Sequence, residues 1–73
     1  MSAIHRPEHV RRLLAVLPHH GAMAYRRAVH EASLPGQFTS GVRKDLLARG
    51  LVAEWEDGLE LTDLGRAERE RQA

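Results

Sequence analysis

The sequence predicts a mainly α-helical domain with one small β-hairpin. Apolar residues recur at helical spacing up to Gly50, the period falls to two beyond it, and an Asp-Gly pair punctuates the second pattern. The 73 residues allow one domain, residues 1–73, with a core expected over about 7–68 and frayed ends at 1–6 and 69–73. A domain of this size buries only about 60% of the surface its unfolded chain exposes, which leaves no room for an enzyme cleft beside a scaffold.

The elements follow in order. Val10, Leu13, Leu14 and Leu17 fall at i, i+3, i+4 and i+7, so a first helix is expected from about Pro7, a residue suited to a first turn, to just before Pro18. The turn Pro18-His19-His20-Gly21 leads to a second helix. Its inward residues are Tyr25, Ala28, Val29 and Ala32, with Arg26, Arg27, His30 and Glu31 on the other side. Ser33-Leu34-Pro35-Gly36 reads as a turn, after which Phe38, Val42 and Leu46 at four-residue steps mark a third helix. Gly36 and Thr39 are both suitable starts for it, and Gly50 can end it in a left-handed conformation. Gly41 inside this helix costs about 1 kcal/mol relative to alanine, so either the helix starts late or something approaches that backbone closely.

Beyond Gly50, Leu51, Ala53 and Trp55 alternate with Val52, Glu54 and Glu56. Asp57-Gly58 supplies a hairpin turn, and Leu59 and Leu61 flank Glu60. Thr62 can cap a last helix with Asp63 in its first turn, Leu64 and Ala67 facing inward, and the RAERERQA end running out into solvent.

Three helices, a hairpin and a closing helix, with only a short turn between helices two and three, form the layout of a winged helix-turn-helix. The residues Leu46-x-x-Arg49-Gly50-Leu51-Val52, then Asp57-Gly58, then Leu61-Thr62-x-x-Gly65-Arg66 resemble the run shared by bacterial winged-helix regulators of the multiple-antibiotic-resistance (MarR-like) kind. Val42, Leu34, Ala32, Val29 and Ala28 also fall where that family places its core. The resemblance covers about residues 10–68. It implies a three-helix core, a two-stranded wing, a short C-terminal helix, and a DNA-binding regulator of transcription. A dimer is expected because one copy of this size offers too few contacts for tight specificity, with the apolar side of the last or the first helix as its surface.

Charge is divided along the chain. Residues 1–50 carry eight basic against three acidic side chains, a balance of +5, and residues 51–73 carry three against seven, a balance of −4. Such asymmetry points to an anionic partner for the first part. If double-stranded DNA is that partner, the third helix enters the major groove with Gln37, Thr39, Ser40, Arg43 and Lys44. Arg43 has the fork for guanine O6 and N7, and Lys44 suits a phosphate. Gln37 could pair with adenine, while Thr39 and Ser40 suit phosphate oxygens or a thymine methyl. Arg26 and Arg27 would position the second helix against the backbone. Arg49 shares a side with Phe38 and Val42, so a structural partner is expected for it.

The hairpin argues the other way. Glu54, Glu56, Asp57 and Glu60 would be repelled by phosphate, so a DNA-bound form is expected to point the wing away. The second reading is a protein-binding module on the same fold, such as a phage or mobile-element inhibitor of a host complex, with Glu54, Trp55, Glu56 and Asp57 as its interface. The expected place of Trp55 is against the third or last helix, covering the hairpin, with an exposed interface anchor as the rival.

Other classes find no support in the residues. With no cysteine, disulfides and thiolate metal sites are excluded. His5 and His9 are spaced i, i+4 and His19-His20 are adjacent, but no Asp or Glu completes a third ligand, so neither a metal nor another cofactor is expected. Catalytic motifs are missing, among them a nucleophile elbow and a phosphate-cradling glycine loop, so no enzyme is expected. The longest unbroken apolar run, Leu13 to Leu17, is too short to span a bilayer, and the chain is expected to be cytoplasmic.

Overall fold

The computed structural model describes residues 6–72. In order along the chain are α1 (Pro7–Val16), α2 (Tyr25–Glu31), a 3-10 turn (Gly36–Phe38), α3 (Thr39–Ala48), β1 (Val52–Trp55), β2 (Gly58–Leu61) and α4 (Asp63–Gln72). α1 lies across α2, α3 and α4, and its stripe of Val10, Leu13, Leu14 and Leu17 is wholly buried. Ala28, Ala32, Leu34, Val42, Leu46, Leu51, Val52, Leu59 and Leu61 complete the core around it. The apolar side of α1 is therefore consumed inside the molecule and is not available as a dimer surface. None of the described helices is long and apolar enough to cross a membrane.

Two helices end on the same device. After α2, Ser33 N–H donates to His30 O at 3.1 Å and Leu34 N–H to Val29 O at 3.0 Å. After α3, Gly50 N–H donates to Leu47 O at 3.1 Å and Leu51 N–H to Leu46 O at 3.0 Å. This paired closure needs a left-handed residue, supplied by Ser33 (φ 53) and Gly50 (φ 71). Glycine takes that conformation freely, whereas serine is strained by about 1–2 kcal/mol. Arg12 of α1 supports the strained end. Its Nε and Nη2 donate to Ala32 O at 3.1 and 2.8 Å, and Nη2 also donates to Ser33 O at 2.8 Å.

Both expected starts of the third helix are used. Gly36 opens the 3-10 turn, Thr39 opens α3, and the Thr39 hydroxyl donates to Gly36 O at 3.0 Å. Gly41 thus sits in the first turn rather than the helix middle.

β1 and β2 pair antiparallel with Val52 opposite Leu61 and Trp55 opposite Gly58. The loop is therefore Glu56-Asp57, one residue earlier than the Asp57-Gly58 turn expected, because Gly58 is claimed by the strand. Met23 joins the free edge of β2, exchanging two 2.9 Å hydrogen bonds with Leu59. A Cβ at Gly58 would run into the Met23 carbonyl. Strand β2 is thus flanked on both edges.

α4 approaches through its backbone. Thr62 caps it as expected, accepting from Gly65 N–H at 3.0 Å while its hydroxyl donates to Gly50 O at 2.7 Å. Gly65 is buried so close to the Leu51 carbonyl that a Cβ would collide with it. That contact turns Leu64 and Ala67 outward, contrary to the inward facing expected, and leaves Leu64 57% exposed. The helix continues to Gln72, through residues 69–72 where a frayed end was expected, and the Arg69 guanidinium donates to Leu17 O and meets His19 Nδ1 at 3.0 Å.

Two substitutions test these backbone constraints by urea denaturation. Gly65→Ala is expected to lower stability by about 1–3 kcal/mol, since the added methyl must push α4 off Leu51. Ser33→Gly is expected to raise it by about 0.5–1 kcal/mol, the relief of left-handed strain less the entropy that glycine adds to the unfolded chain.

Candidate functional site

The first turns of α2 and α3 are tied by one side chain, for the Tyr25 hydroxyl donates to the Thr39 carbonyl. Burial raises the phenol above its usual 10.0, opposed by the positive charge and the backbone N–H of Arg43 beside it. Beyond this tie, Ser40, Lys44 and Ala48 form the exposed stripe of α3 at four-residue steps, with Arg43 half-exposed on its flank. Gln37 is exposed in the 3-10 turn, and Arg26 and Arg27 are exposed on α2.

These candidates are not equally free. Arg27 faces Glu31 at 3.6 Å, and Arg49 takes Asp45 at 2.8 Å, the structural partner expected for it. Thr39 spends its hydroxyl within the 3-10 turn. Arg43 forms an ion pair with Glu54 of β1, the two side chains 42% and 44% exposed. Arg26 and Lys44 carry no ion pair among the described residues.

The Arg43–Glu54 pair brings one of the hairpin's carboxylates against the third helix. The cause is the phase of β1. Val52 pairs with Leu61 and Glu54 with Leu59, and Val52, Leu59 and Leu61 are buried, so the face of β1 that meets the core carries Glu54 as well. Trp55 is on the opposite face. It is 58% exposed and donates from Nε1 to Glu60 Oε1 at 2.9 Å. The indole is therefore largely exposed rather than the covering side chain expected. Glu56 and Asp57 are exposed in the hairpin loop.

Between the start of α2, α3 and the hairpin lies an open cleft of about 350 Å³, lined by Tyr25, Arg43, Glu54, Trp55, Glu56 and Asp57, among others. Its walls mix two aromatic rings with three carboxylates and one guanidinium. Another groove, about 600 Å³ between α1 and α4, is lined by Glu8, Arg11, Arg12 and Arg69.

His9, expected as half of a spaced pair, is a packing residue. Its ring stacks on Phe38 with centroids 4.5 Å apart, and Nδ1 accepts from Arg6 N–H at 3.0 Å. His5 lies outside the described residues. Among the described residues no three His, Cys, Asp or Glu side chains converge as a metal site would need.

Neither a protein-family model, nor a curated protein, nor a solved structure matches the chain. Sequence reasoning missed the roles of Tyr25, Arg12 and Glu54. Tyr25 stood in the inward stripe of α2, and its hydroxyl was the available signal, because a half-buried phenol needs a partner.

Tyr25 is the chain's one tyrosine, so its ionisation can be followed directly by absorbance. Its midpoint is expected above 10.0, and higher again in Arg43→Gln, where the opposing charge is gone. Because the folded value is raised, the associated stability is present below pH 10.0 and is lost as the pH rises through the folded midpoint. A midpoint unchanged by Arg43→Gln would show that the two groups are not coupled.

Proposed function

We propose that the protein is a winged helix-turn-helix that binds double-stranded DNA, with α3 as the major-groove helix and the hairpin as the wing. One observation carries this reading: α3 turns Ser40 and Lys44 outward, and neither Lys44 nor Arg26 on the neighbouring α2 has an ion pair among the described residues. Unpaired cations on two helices joined at their first turns suit phosphates on either side of a groove. In this reading Lys44, Arg26 and Arg27 hold the backbone, and Arg43, Gln37 and Ser40 face the bases. The hairpin tip, with exposed Glu56 and Asp57, stands away from the phosphates in this reading. A dimer regulating transcription in the cytoplasm is the natural setting, because two half-sites supply the specificity that one small domain lacks. Its contact between copies would use the exposed face of α4 around Leu64.

Fluorescence anisotropy with random-sequence duplex DNA at ~50 and ~200 mM salt tests this. Three phosphate contacts predict a slope of log affinity against log salt near about −2.7. Arg26→Ala with Lys44→Ala is expected to flatten it by about 1.8 while leaving the helical circular dichroism unchanged. No binding at low salt would dismiss the reading.

A second reading is favoured by one observation, the 58% exposed Trp55 beside Glu56 and Asp57. An exposed indole flanked by carboxylates suits an anchor for a basic partner protein, such as a host complex met by a phage or mobile-element inhibitor. Trp55→Ala should then abolish capture of that partner and leave the DNA titration untouched. Capture that persists without the indole would remove Trp55 from the interface.

A further inference from the structure

Arg43 is the best-equipped side chain of α3 for DNA, and it is already engaged. Its Nη2 meets Glu54 Oε2, and its charge lies beside the Tyr25 phenol. Nothing in the packing requires the ion pair. Both side chains are more than two-fifths exposed, while Val52 of β1 and Val42 and Leu46 of α3 are buried in the common core. An exposed pair of this kind adds little to stability, typically under about 1 kcal/mol. It does fix where the guanidinium can go.

We propose that Glu54 withholds Arg43 from phosphate, so that α3 holds the DNA backbone without it and Arg43 is left for an uncharged acceptor edge such as that of guanine. This deepens the DNA reading above and rests on it. A phosphate approaching Arg43 carries a full negative charge and is repelled by the carboxylate held beside the fork. A guanine edge is uncharged and meets no such repulsion. Each terminal nitrogen of the fork carries two hydrogens, so Nη2 can keep Glu54 on one while the other, together with Nη1, faces N7 and O6. Glu54 is thus a positioning residue. It removes one sequence-independent contact and leaves the sequence-dependent one possible, which widens the gap between specific and non-specific binding. The phase of β1 makes this possible, because Glu54 is the acidic residue on the face that meets α3 and Glu56 is in the loop.

The test is a cycle of titrations with random-sequence duplex DNA, using the full chain, Glu54→Gln, Arg43→Ala and the double variant. Glu56→Gln serves as the control that removes the same charge without touching the pair. In the parent, Arg43→Ala is expected to leave the salt slope unchanged, because the contact it removes is not to phosphate. Glu54→Gln is expected to bind several-fold tighter with a slope steeper by about 0.9, one further phosphate, and the gain should vanish in the double variant. Glu56→Gln should leave the slope unchanged.

If Arg43→Ala weakens binding equally with and without Glu54, Arg43 was on phosphate all along and the proposal falls while the DNA reading stands. Equal steepening by Glu54→Gln and Glu56→Gln would reduce the effect to net charge and also overturn it. Should the parent fail to bind while Glu54→Gln binds through Arg43, the withholding is upheld and the parent's own DNA binding is rejected. Silence from both overturns both. Circular dichroism of each variant excludes unfolding as the cause.

Discussion

Two close approaches of backbone to backbone set the rest of the molecule. Gly58 lies against the Met23 carbonyl and Gly65 against the Leu51 carbonyl, and at neither place is there room for a side chain. Between them the hairpin is clamped, by the Met23 bridge at its outer edge and by the first turn of α4 at its base. That clamp selects the face of β1 that meets α3. The same alternation then delivers Val52 to the core, Glu54 to Arg43 and Trp55 to solvent. A slip of one residue would exchange the last two.

Helical parts of the fold were legible because their signal is redundant. Four apolar residues at the right spacing mark α1, and Pro7, Gly50 and Thr62 mark ends that the backbone uses as their chemistry suggests. The hairpin was legible as a hairpin but not in its phase, since Leu51, Ala53 and Trp55 look as apolar as Val52 does. Only the pairing with β2, whose leucines are buried, decides between the two faces. α4 was misread for a related reason. Its leucine suggested a buried side, yet the contact is made by a glycine, whose lack of a side chain carries no weight in an apolar pattern.

At the site, exposure was easier to foresee than engagement. Ser40, Lys44, Arg26 and Gln37 are exposed as their polarity implies. What sequence could not show is that arginines here are spent largely on the protein itself. Arg12 holds the end of α2, Arg66 reaches His19 O and Leu61 O at 3.2 and 3.1 Å, and Arg69 reaches Leu17 O. Carbonyls at helix and strand ends need donors, and a guanidinium on a long stem can supply several from a distance. A formal count of positive charge therefore overstates what the surface can offer an anion.

The placement of Trp55 also bears on how the molecule can be watched. It is the chain's sole tryptophan, and it stands on the outer face of the hairpin rather than within the leucine core. Its emission accordingly reports the hairpin tip and its hydrogen bond to Glu60, whereas the helical signal reports the packed interior. The two spectroscopies view opposite ends of one structure, and a difference between their transitions would locate an opening of the hairpin apart from the helices.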